Sequence, residues 1–108
     1  MRPIPLKIRK QIKFKESILG GKFEELHHGF IYAGKQINEL WAFAPLTVEQ
    51  HRGEKGVHNN NETDCKVRFI LLDNAKKAGL FPEIKAKYPR KDWEQEYIYL
   101  KNYVNSLD

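Results

Sequence analysis

Cysteine occurs once in the 108 residues, at Cys65, so no intramolecular disulfide can form and no Cys-x-x-Cys pair exists to build a zinc knuckle. Any metal ion must then be held by histidine nitrogen and by oxygen. No apolar run is long enough to cross a bilayer, which argues against a membrane partner. No internal repeat or low-complexity tract is present, which argues against a solenoid or a disordered chain. The start, Met1-Arg2-Pro3-Ile4-Pro5-Leu6, is basic but lacks the apolar centre and small-residue cleavage site of a signal peptide, so the expected location is a bacterial-type cytosol. The length suits one domain spanning residues 1–108.

The net charge of +5 is unevenly placed. Residues 1–22 carry seven Lys/Arg against one Glu, whereas the rest carries twelve against thirteen acidic residues. A basic segment of this kind can neutralise phosphates and release counterions. It also fits a merely soluble lysine-rich surface. Lys7, Arg9, Lys10 and Lys13, with Arg52 further on, are the candidate nucleic-acid contacts.

Hydropathy periodicity divides the chain. Ile4, Ile8 and Ile12 recur at helical spacing, although Ile4, Leu6 and Ile8 also alternate as in a strand; Pro5 and the lysines favour a short basic helix over residues 4–15. After Gly20-Gly21, residues 23–32 read as a strand leading into an Ala33-Gly34-Lys35 turn, and Leu40 to Leu46 as a second strand. Thr47-Val48-Glu49-Gln50 is a capping-box pattern that predicts a helix from Val48, with His51 pointing back at the strands. Residues 52–61 read as an exposed loop or a broken helix end. Val67, Leu71, Asn74, Ala75 and Ala78 form a helical stripe closed by Gly79, and Pro82 opens a short helix to Tyr88. Asp92 caps a last helix whose stripe is Trp93, Tyr97, Leu100, Val104 and Leu107, expected to face the core rather than to stack on bases. Cys65, beside charged residues on a helix, is expected to be inert.

The histidine pair His27-His28, the loop residue Asn38, the apolar run and His51 stand in an order that can build one metal-centred site. Hydrolysis of a phosphodiester needs a base to deprotonate water and a cation to hold the charge developing on the phosphate. Histidine suits the first task, and a divalent ion the second. Neighbouring residues on a strand point to opposite faces, so His27 and His28 diverge unless the strand ends there; Gly29 permits a turn.

Residues 27–51 resemble the HNH endonucleases, also called ββα-metal or His-Me finger nucleases. More closely, His28 to Glu39, Trp41 to Leu46, Lys87-Tyr88-Pro89 and Asp92-Trp93 are similar to a group of small phage-encoded HNH proteins, so the resemblance extends over most of the chain. It implies an α+β fold: a hairpin-plus-helix ββα-metal core over 23–60, a basic segment over 1–22 and additional C-terminal helices over 61–108. It implies His28 as general base, Asn38 as the residue steadying the loop, and His27 and His51 as metal ligands. The chain departs from the family pattern where many relatives have a cysteine and a histidine pair, having Thr47 and Gln50-His51 instead. His58, in a stretch that resembles the tail of some phage HNH motifs, is the candidate to complete the metal shell.

The expected function is divalent-metal-dependent cleavage or nicking of DNA, with one Mg²⁺ or Mn²⁺ ahead of Zn²⁺ or Ni²⁺, and with a homodimer as one arrangement for cutting both strands. Two alternatives are an HNH scaffold that binds nucleic acid without cutting it, and a phage protein that inhibits a host protein.

Overall fold

The computed structural model describes residues 4–107. Their secondary structure begins with α1 (Leu6–Arg9), a single turn shorter than the helix expected over 4–15. Every second or third residue there is Lys or Arg, and no residue of α1 is buried, so little tertiary packing is available to extend it.

Four short strands follow: β1 (Glu25–His28), β2 (Ile31–Tyr32), β3 (Lys35–Gln36) and β4 (Phe43–Leu46). β1 pairs antiparallel with β4, His28 opposite Phe43 and Glu25 opposite Leu46, while β2 and β3 form a separate two-stranded ribbon. The ribbon turns through Ala33 and Gly34, both at positive φ (52° and 80°), as a two-residue hairpin requires.

The continuous strand expected over 23–32 is therefore broken at Gly29-Phe30, and the strand expected from Leu40 starts only at Phe43, after a 3₁₀ turn over Leu40–Ala42. The break is caused by crowding. A Cβ on Gly29 would lie 2.5 Å from Leu71 Cδ1 and 3.1 Å from the Ala42 carbonyl oxygen, so the backbone approaches the next helix where no side chain fits. Gly29 serves close packing rather than a left-handed turn.

α2 (Val48–Arg52) begins as the capping box dictates: Thr47 Oγ1 accepts from the Gln50 amide at 3.1 Å, and Gln50 Oε1 accepts from the Thr47 amide at 2.9 Å. α3 (Asn61–Lys77), α4 (Phe81–Lys87) and α5 (Trp93–Asn105) complete the chain. Asn60 and Asp92 cap α3 and α5 through their side chains, and Gly79 ends α3 at φ 74°.

The core joins β4, the 3₁₀ turn, α3 and α5 around Trp93, which is 1% exposed and touches Phe30 and Trp41 at ring-centroid distances of 5.6 and 5.7 Å. On α3 the buried stripe runs through Cys65, Val67, Leu71, Leu72 and Ala75, whereas Asn74 and Ala78 of the expected stripe are exposed. Two small strand pairs with helices make an α+β fold. Among the described residues, no helix is long and apolar enough to cross a membrane.

Candidate metal centre

Three histidines from three segments converge. His27 lies on β1, His51 in the last turn of α2, and His58 in the segment between α2 and α3. One ligand atom from each falls within 4.8 Å of the others, the spacing needed to share an ion. His51 Nε2 and His58 Nε2 are 3.0 Å apart, and the His27 ring stands 5.2 and 5.1 Å from those of His51 and His58.

Each imidazole is fixed by its backbone. His27 faces Ala44 across the β1–β4 ladder. α2 is pinned by its capping box and by Gln50, whose Nε2 donates to the Gly20 carbonyl at 2.8 Å. Residues 53–60 form a loop, as expected, with Glu54, Lys55, His58 and Asn59 exposed, but the loop folds back onto α2. The Val57 amide donates to the Gln50 carbonyl at 2.8 Å, Gly56 and Val57 are buried, and Asn59 Nδ2 donates to the Gly53 carbonyl at 2.9 Å. A Cβ on Gly56 would lie 2.8 Å from the Glu49 and Gln50 carbonyl oxygens. These contacts deliver His58 to His51.

A carboxylate absent from the sequence-level site orients the cluster. Glu25 Oε1 lies 2.9 Å from His51 Nδ1 and accepts from Arg52 Nε at 2.9 Å, while Arg52 Nη2 reaches Oε2. The His51 hydrogen bond, and then Arg52, hold the Glu25 carboxyl below its ordinary pKa. An ionised Glu25 accepting from Nδ1–H leaves His51 Nε2 as a lone-pair donor facing its two partners. The available signal was period two: Glu25 and His27 share one face of a strand. Arg52, expected as a nucleic-acid contact, is engaged in this pair.

His27 is 8% exposed, and burial, reinforced by the neighbouring His51 and His58, lowers its pKa to about 4. It is therefore unprotonated at neutral pH, the state that metal binding requires. The donor set fits a cation: three imidazoles, one of them held by a carboxylate, and His58 on the exposed side to leave access for water or substrate.

His28 belongs to the same cavity but not to the cluster. A space of about 520 Å³ is lined by His27, His28, His51 and His58. His28 is still in register with Phe43 across the β1–β4 ladder, one position beyond His27, yet both residues border this space. The His28 ring packs edge-on against Phe43 at 5.1 Å. Both of its nitrogens are covered and lack a hydrogen-bond partner, as does Asn38 Oδ1. Burial lowers the His28 pKa, while the nearby Asn38 side chain pushes it back up. Asn38, expected to steady the loop, stands near this imidazole.

The N-terminal cations do not reach this cavity. Lys7, Arg9, Lys10 and Lys13 are exposed, and none of them lines it. The cations that do line it are Arg68 and Lys91. Compared with protein-family models, with curated proteins and with solved structures, the chain has no match in any of the three.

Proposed function

We propose that this protein is a divalent-metal-dependent DNA endonuclease or nickase of the HNH type. The observation that carries the reading is one cavity in which His27, His51 and His58 gather their nitrogens while His28, the next residue along β1, stands at its wall. His27, His51 and His58 would hold the ion. When bound, a divalent ion there supplies Lewis-acid stabilisation of the charge that develops on a phosphodiester. His28, whose pKa burial lowers, is the group to accept a proton from the attacking water, with the Asn38 side chain nearby. Glu25 fixes the tautomer of His51. An all-imidazole donor set favours Zn²⁺, Ni²⁺ or another transition-metal ion over Mg²⁺, which prefers oxygen.

One observation favours the non-cleaving scaffold: both His28 nitrogens are covered, so water must gain access to one of them before it can lose a proton. A plasmid-relaxation assay separates the two readings. Cutting that depends on Zn²⁺, Ni²⁺, Mn²⁺ or Mg²⁺ and stops with chelator supports the nuclease; binding of the plasmid without cutting under any of these ions supports the scaffold.

A further inference from the structure

Besides the histidines, the cavity is lined by Asp64 and Arg68 of α3 and by Lys91, just before α5. Both cations are held by one carboxylate. Arg68 Nη1 lies 3.2 Å from Glu96 Oε1, and Lys91 Nζ lies 3.1 Å from Glu96 Oε2. Glu96 itself does not line the cavity, and its side chain is less exposed (18%) than those of Arg68 (24%) and Lys91 (33%). Glu96 therefore sits behind the two cations, while Asp64 shares the cavity wall with them. Arg68 Nε is 3.2 Å from Asp64 Oδ2, yet it is covered and makes no well-directed hydrogen bond.

We propose that Arg68 and Lys91 bind a backbone phosphate of the nucleic acid within this cavity, with Glu96 as the positioning residue that fixes both. This assignment rests on the nuclease reading. A network serving stability alone has no need to place two cations on the wall of the cavity that also holds the histidine cluster. Arg68 Nη1 is engaged by Glu96 and Nη2 lies 3.8 Å from Cys65 Sγ, so a phosphate would meet a guanidinium already held in place, with the Lys91 ammonium beside it as a point charge. The space, about 520 Å³, lies within the ~300–1,000 Å³ of small-ligand sites. The phosphate to be cut is then gripped by residues of the C-terminal helices, leaving the N-terminal segment to contact DNA outside the cavity.

The test measures binding of a short labelled DNA duplex by fluorescence anisotropy across a salt series in chelator, together with plasmid nicking in metal, for Arg68→Gln, Lys91→Gln, Arg68→Gln/Glu96→Gln and, as control, Lys35→Gln at the exposed start of β3. Each cavity variant should bind roughly tenfold more weakly, lower the slope of log affinity against log salt by about 0.9, and raise KM more than it lowers kcat; Lys35→Gln should match wild type. The double variant removes Arg68 together with Glu96 and leaves Lys91 without its ion pair; a purely structural role of the Arg68–Glu96 pair predicts wild-type binding there, whereas phosphate binding predicts that the salt slope stays lowered by the lost Arg68. Wild-type affinity and slope in folded Arg68→Gln and Lys91→Gln, or recovery in the double variant, overturns the proposal. If wild type cuts and both single variants bind and cut like it, the phosphate grip falls and the nuclease stands. If wild type binds but never cuts while both variants bind more weakly, the nuclease falls and the grip stands.

Discussion

His28 and His51 border one cavity, and the proposed function gives them different roles that their removal should separate. His28→Ala should lose roughly 10²–10⁴-fold in nicking rate with metal affinity retained, because a base need not ligate the ion. His51→Ala should lose affinity for the ion, so that raised metal restores part of its rate. A metal titration of nicking by both folded variants checks this; rescue of His28→Ala by metal would reverse the assignment. Glu25 acts through His51, and Glu25→Gln should weaken metal binding about 10–100-fold by calorimetry, since its acceptor no longer carries charge. Unchanged affinity would mean that backbone placement alone orients the imidazole.

At the level of elements, α3 and α5 are joined by polar contacts as well as by core packing. The Tyr97 hydroxyl donates to Asp73 Oδ1 at 2.9 Å, and Lys77 Nζ sits 2.8 Å from Asp73 Oδ2. Lys77 first, and Tyr97 after it, lower the Asp73 pKa from the ordinary 3.8. A carboxyl whose pKa is lower folded than unfolded contributes stability that is complete above the unfolded value and is lost as pH falls through the folded one. Asp73→Asn should therefore be less stable than wild type at pH 7, with the gap closing below about pH 3.8. Urea midpoints at neutral and strongly acidic pH measure it, and a constant gap would refute the linkage. Turn and cap elements were legible because their causes are local. Thr47 to Gln50, Ala33-Gly34, Asp92 and Gly79 each set their backbone with residues a few positions away. The break at Gly29 was not legible as such, since its cause, Leu71, lies more than forty residues on.

For the molecule as a whole, the core depends on Trp93, buried against Phe30 and Trp41. Trp93→Ala should cost about 3–5 kcal/mol and lower Tm by at least ~12 °C in a domain of this size. A variant with wild-type melting but weakened DNA binding would move α5 to the substrate surface. The exposed N-terminal cations belong to the same scale, because on the proposed reading they would act on DNA through the field they create. Neutralising Lys7, Arg9, Lys10 and Lys13 together should flatten the salt dependence of DNA binding; an unchanged slope would remove the segment from the interface.

The sequence by itself determined which residues could hold a cation and where several helices begin. Capping pairs and hydrophobic spacing are properties of neighbours in the chain, while His27, His28, Asn38, His51 and His58 were named with the help of the resemblance to HNH proteins. Only the tertiary structure decided that His58 closes on His51 while residues 53–60 pack down, that Glu25 holds that pair, and that Arg68 and Lys91 rather than the N-terminal lysines face the cavity. The physical reason is that a site of this kind is assembled from segments far apart in sequence. The angles at which β1, α2 and α3 meet are set by core packing and by close approaches such as Gly29 on Leu71, which no local pattern records.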